Sequence, residues 1–72
     1  MNLRINGEIK IIDHSGDDFL LENLVLKLGY QPQLVVVELN GVIINPQNWI
    51  KTKIKDGDCL EVVTIVGGGS YS

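Results

Sequence analysis

Gly67, Gly68 and Gly69 follow the apolar run Ile65-Val66 directly. Glycine carries no side chain and adopts almost any φ and ψ, so a glycine run threads a narrow channel where other residues clash. Three extended residues reach about 10 Å. A carboxylate on such a tether can enter a partner's active site while the folded body docks outside. By itself that carboxylate is inert, because with a pKa of ~3.3–3.7 it is ionised at neutral pH and a poor electrophile. It needs activation, for example as an acyl-adenylate, before sulfur or an amine attacks. No glycine-rich phosphate loop joins a strand to a helix here, and no helix follows the triplet, so a partner must do the activating. The plain alternative is a frayed terminus.

The other reactive side chains read as structural. His14, the only histidine, follows Asp13 in a loop without a second histidine or cysteine nearby to make a metal site. Cys59 has Asp58 before it and no adjacent cation to lower its pKa, as a catalytic thiol requires. Asp56 and Asp58 flank Gly57, which is ordinary turn chemistry. No catalytic residue and no metal ligand are expected in this chain.

Composition narrows the partners. The chain has 72 residues, a net charge of −3, 44% apolar and 21% charged residues. One small globular domain fits that length, with room for a sheet and a helix but little for a deep pocket and its walls. Lys51, Lys53 and Lys55 alternate with other residues and read as a solvated face; nucleic-acid binding would need a stronger cationic footprint. A single cysteine allows no internal disulfide and fits a reducing compartment. Met1-Asn2-Leu3-Arg4 leads straight into alternation with no signal peptide, and no apolar stretch approaches the ~20 residues of a membrane span. The expectation is a soluble cytoplasmic protein with no membrane or nucleic-acid partner.

The elements that must position the glycines follow from periodicity. Leu3 and Ile5 alternate, then Ile9 and Ile11, with Asn6-Gly7 between them. Asn-Gly between alternating runs predicts a two-residue type I′ hairpin. Leu34 to Leu39 and Val42 to Ile44 form a second such pair around Asn40-Gly41. Between the hairpins, Leu21, Leu24, Val25 and Leu28 fall on one helical face, which Phe19 and Leu20 extend. The helix is predicted from about Asp17 to Leu28, capped by Ser15 or Asp17 and closed by Gly29. Asn45-Pro46 opens a short turn that lays Trp49 over the sheet edge. The last strand, Cys59 to Val66, is dense in Val and Ile, which predicts a central and buried position. The class is α+β, one sheet with one helix on one face. In the last strand Leu60 and Val62 are expected in the core, with Val63 and Ile65 near the surface as candidates for partner docking.

Three segments carry a resemblance: "RINGEIK", "VVVELNGVIINPQNW" and "IKDGDCLEVVTIVGGG", which together cover nearly the whole chain. In that order they resemble the ubiquitin-like sulfur carriers, and most closely the ThiS family of the thiamine pathway. The resemblance implies a ubiquitin-like β-grasp, a mixed sheet of about five strands with one main helix on one face. Residues 1–66 would be the β-grasp domain and 67–72 a flexible glycine-rich C-terminal tail. It also implies a chemistry. An adenylating enzyme of the ubiquitin-activating type, using ATP and magnesium, would adenylate the carboxylate of Gly69. A persulfide donor would convert it to a thiocarboxylate, which would pass its sulfur to thiazole synthase. Gly67 and Gly68 would thread the channel, and the chain itself would bind no cofactor. The sequence departs from the family pattern where Ser70, Tyr71 and Ser72 follow. Either they are removed before use, or they do not belong to the working protein, or the carrier role is lost. The rival functions are a carrier for molybdopterin synthesis or tRNA thiolation, and a β-grasp interaction module without tail chemistry.

Overall fold

The computed structural model describes residues 1–14 and 18–65. The predicted caps Ser15 and Asp17 and the predicted tail, 67–72, lie outside the described residues.

Strands β1 (Asn2–Ile5) and β2 (Glu8–Ile11) form the first hairpin, and β3 (Val35–Leu39) and β4 (Val42–Ile44) the second. Both turns are the Asn-Gly pairs, with φ of 53° and 83° at Asn6-Gly7 and 52° and 87° at Asn40-Gly41. Only residues that tolerate positive φ fit both central positions of a type I′ turn. Strand β5 (Cys59–Thr64) lies in the middle of the sheet order β2-β1-β5-β3-β4. It runs parallel to β1 and antiparallel to β3. The five-stranded mixed sheet with one main helix is the expected ubiquitin-like β-grasp.

The helix α1 spans Leu21–Lys27, shorter than the predicted Asp17 to Leu28. A tertiary pairing delays its start. The Ile54 N–H donates to Phe19 O at 2.8 Å, the Leu21 N–H donates to Thr52 O at 2.8 Å, and Leu20 bridges Lys53 in antiparallel fashion. These bonds hold residues 19 and 20 outside the helix, with Leu20 extended, so Phe19 enters the core from a strand-like segment rather than from the first helical turn. Asn23 Oδ1 accepts the Leu20 N–H at 3.4 Å at the helix start. Gly29, at φ +88°, closes the helix as expected.

Leu21, Leu24 and Val25 of the helix pack on Leu3, Ile5, Val35, Val37, Leu60 and Val62 of the sheet. Trp49, in the 3-10 segment Pro46–Lys51, closes one end of this core at 2% exposure and donates its indole N–H to Ile44 O at 3.0 Å. β5 is central, but it is buried on one face only. Leu60 and Val62 are in the core, whereas Glu61 and Val63 face away from it and are exposed. Among the described residues no element covers the sheet face opposite the helix, so the residues that alternate with the core are exposed there. The same geometry leaves Ile9 and Ile11 of β2 exposed, Ile11 at 80%.

Asn6 does more than turn the chain. β1 and β5 share a register at only Arg4↔Cys59 and Ile5↔Leu60. Beyond it the Asn6 side chain continues the ladder: its Oδ1 accepts the Val62 N–H at 2.7 Å and its Nδ2 donates to Val62 O at 3.2 Å. Asn6→Gly keeps the backbone freedom of the turn and removes both bonds to the partly buried Val62 backbone. It should lower stability by about 1–3 kcal/mol, the cost of leaving such groups unpaired. Urea unfolding tests this; a midpoint equal to that of the parent would mean the clamp contributes nothing.

Candidate functional site

The sheet face opposite the helix is the candidate surface, and the register between strands assembles it. Val63 stands opposite Val36, and Glu61 stands opposite Glu38, which in turn faces Ile43 on β4. Val63 is 61% exposed and Ile43 64% exposed. Ile65, half-buried, follows on the same side, and its N–H donates to Leu34 O at 2.6 Å. That bond ties the chain to the body just before the glycines. Val36, Val63 and Ile65 line a shallow depression there. A larger groove of about 770 Å³ continues from Val36, Ile43 and Ile65 around the end of the sheet to Pro46 and Trp49. The apolar surface therefore lies at the root of the glycine run.

The structure brings Val63 and Ile65 together and adds Val36 and Ile43, which the sequence reading did not single out. Three consecutive valines, 35–37, hid the alternation: Val35 and Val37 are buried, so Val36 must point outward. Next to the apolar patch lies the pair Glu38 and Glu61. Like charges directly opposite across a sheet destabilise it, and neither carboxylate is in a salt bridge among the described residues. The patch is thus apolar at the glycine end and acidic beside it.

The remaining reactive residues stand apart from this surface or serve local structure. The His14 ring lies 4.5 Å from that of Phe19, and its Nε2 is 3.1 Å from Asp18 Oδ1. Asp56 Oδ1 accepts the Asn2 N–H at 2.6 Å, and Asp58 Oδ2 accepts the Lys55 N–H at 2.8 Å, so both carboxylates hold the turn around Gly57. Cys59 is a free, half-buried thiol at the start of β5, the end of that strand away from the glycines. Lys51, Lys53 and Lys55 are exposed around the buried Ile54. No metal-binding group of side chains occurs among the described residues, and none of their helices is long and apolar enough to cross a membrane. Gly67, Gly68 and Gly69 lie outside the described residues.

Comparison with known proteins places this geometry in context. The model of the ThiS family matches residues 3–69. A sulfur carrier protein ThiS of Bacillus subtilis is 30% identical over 67 residues, covering 93% of this chain and 98% of its own. A thiazole synthase of Paramagnetospirillum magneticum is 37% identical over 70 residues; the match takes in 97% of this chain but 21% of that enzyme, so this chain spans about a fifth of its length. The crystal structure of a thiamine biosynthesis protein, ThiS, from Geobacter metallireducens superposes with a TM-score of 0.80 at 34% identity, over 96% of this chain and 100% of the other.

Proposed function

The chain belongs to the ThiS family, and on that premise we propose that it is a cytoplasmic sulfur carrier of thiamine biosynthesis and not itself an enzyme. One observation carries the reading: the family match runs through β5 and ends on Gly69, the last glycine of the run. The named function of the Bacillus relative supports the same conclusion.

The chemistry then belongs to Gly69 and to partners. In a form of the chain that ends at Gly69, without Ser70, Tyr71 and Ser72, an oxygen of the Gly69 carboxylate attacks the α-phosphorus of ATP on an adenylating enzyme, with magnesium, and pyrophosphate leaves. The terminal sulfur of a cysteine persulfide attacks the acyl carbon, and AMP leaves. A second thiolate opens the resulting acyl disulfide, which frees the thiocarboxylate and leaves the donor cysteine in a disulfide. This chain supplies the docking face and a side-chain-free approach through Gly67 and Gly68. The closeness of Val63, Ile65, Val36 and Ile43 to the end of the described residues, at Ile65, supports that docking role. The acidic pair Glu38 and Glu61 suits a partner that presents a cation beside an apolar patch.

Val63→Asp tests the docking role. Val63 is exposed, so the fold should be unaffected, while an apolar contact at the interface is replaced by a charge. We expect binding to the adenylating enzyme to weaken about tenfold or more, as for truncation of a central interface residue. Calorimetric titration that returns an unchanged affinity would move the interface elsewhere.

The resemblance of this chain to a segment of a thiazole synthase favours thiazole synthase as acceptor over molybdopterin synthesis or tRNA thiolation. The test presents the thiocarboxylated chain, as sole sulfur source, to thiazole synthase and separately to a molybdopterin synthase. Loss of sulfur from the protein only with thiazole synthase is the expected result. Loss only with the other enzyme overturns the assignment.

A further inference from the structure

We propose that the open edge of β2 pairs with β2 of a second copy of this chain, antiparallel, with Ile9 on the two-fold axis. The backbone presents that edge. Met1 and Ile12 exchange two hydrogen bonds: the Ile12 N–H donates to Met1 O at 2.8 Å, and the Met1 ammonium donates to Ile12 O at 2.7 Å. In an antiparallel ladder, pairs that exchange bonds alternate with pairs that do not. Along the β1–β2 register, Leu3↔Lys10 and Ile5↔Glu8 are therefore bonded pairs, whereas Asn2↔Ile11 and Arg4↔Ile9 are not. The N–H and C=O of Ile9 and Ile11 thus point away from β1. β2 ends the sheet order, so among the described residues no strand receives them. Leu3 and Ile5 face the core, which places Asn2 and Arg4, and with them Ile11 and Ile9, on the face opposite the helix. Both isoleucine side chains are exposed. A strand with open backbone groups and exposed isoleucines is a template for another strand.

Charge identifies the occupant. A lysine on an edge strand ordinarily keeps other strands away. Here Lys10 shares the strand with Glu8, two residues off and on the same face, with Nζ 3.9 Å from Oε1 and both side chains exposed. Two copies of β2 can lie antiparallel with open groups against open groups in registers that put residue 9, 10 or 11 on the axis. With Lys10 on the axis the two lysines face each other. With Ile11 on the axis each lysine faces the buried Ile12 of the other copy. With Ile9 on the axis, Glu8 of each copy faces Lys10 of the other, and the two Ile9 side chains meet on the opposite face. Opposite charges directly across a sheet stabilise it and like charges destabilise it, so the strand is complementary to itself in the last register. A two-fold contact uses the same patch twice, whereas a strand of uniform charge from another protein would set like against like at Glu8 or at Lys10. The contact joins two strands of four residues, so the dimer is weak and reversible rather than permanent. In it the two copies of β5 run in opposite directions, five strand spacings or about 24 Å apart. The Val63 and Ile65 surfaces therefore stay open, and the dimer stands whether or not the chain carries sulfur.

Sedimentation equilibrium of the full chain, from about 10 μM to about 1 mM, should show a reversible dimer. Glu8→Lys and Lys10→Glu each set like charges opposite one another, and each should weaken the dimer about tenfold or more. Mixed in equal amounts, the two variants should associate with each other more tightly than either does with itself, because every cross-strand pair is then of opposite sign. Both residues are exposed, so thermal melts should show the variants folded. Amide exchange followed by NMR locates the contact in the unaltered chain: the Ile9 N–H should gain protection as concentration rises. A monomer at every concentration overturns the inference. A dimer whose Ile9 amide stays open puts the contact on another surface and overturns it equally. Variants that dimerise as the parent does, or a mixture that associates no more tightly than its components, overturn the charge-matched register.

Discussion

Gly69→Val, made in the chain ending at residue 69, is expected to abolish thiocarboxylate formation and to leave the melting temperature unchanged. The two halves of the result have separate causes. Valine is branched at Cβ and confined in φ, ψ and χ1, so it neither fits a glycine-sized channel nor adopts the conformations open to glycine. Displacing the reacting carboxylate by even ~1 Å costs about a hundredfold in rate. Stability should be untouched because the buried core of the described residues runs from Leu3 to Val62, well before the substitution. Intact-mass kinetics and a thermal melt check both halves. Conversion at the parental rate would mean that the glycine run does not pass through a narrow channel.

Trp49→Ala is the substitution expected to harm the fold most. The indole is 2% exposed, caps the end of the core beside Ile44, and satisfies the Ile44 carbonyl at 3.0 Å. Truncating a buried tryptophan costs about 3–5 kcal/mol. A domain of this length has roughly 4–10 kcal/mol in total. The variant should therefore be largely unfolded or close to it, as read by near-ultraviolet circular dichroism and urea unfolding. Trp49→Phe, which keeps most of the apolar contact and loses the N–H, should fall between. A Trp49→Ala midpoint near the parental one would show that the 3-10 segment Pro46–Lys51 is an appendage rather than a wall of the core.

Local signals made most of this fold legible. Each Asn-Gly pair specified its hairpin through the positive φ that both residues accept, and the spacing of Leu21, Leu24 and Val25 marked the helix face. The start of the helix was not legible, because hydrogen bonds from Phe19 and Leu21 to residues 52–54, over thirty residues away, set it. Alternation in β5 separated Leu60 and Val62 from Val63. It could not say which residues of other strands would lie beside Val63, since that depends on the β3–β5 register. Val36 and Ile43 were missed for that reason. The turn chemistry of Asn6 was readable, but its clamp on Val62 required knowing that β5 lies against β1. Gly69 was singled out on chemistry and resemblance, and it lies outside the described residues.

The most direct measurement is the intact mass of the chain ending at Gly69 after incubation with the adenylating enzyme, ATP, magnesium and a persulfide donor. The carrier account predicts a gain equal to the exchange of one oxygen for one sulfur, located at Gly69 by fragmentation. An unchanged mass, from an enzyme that converts another carrier in the same reaction, would contradict it.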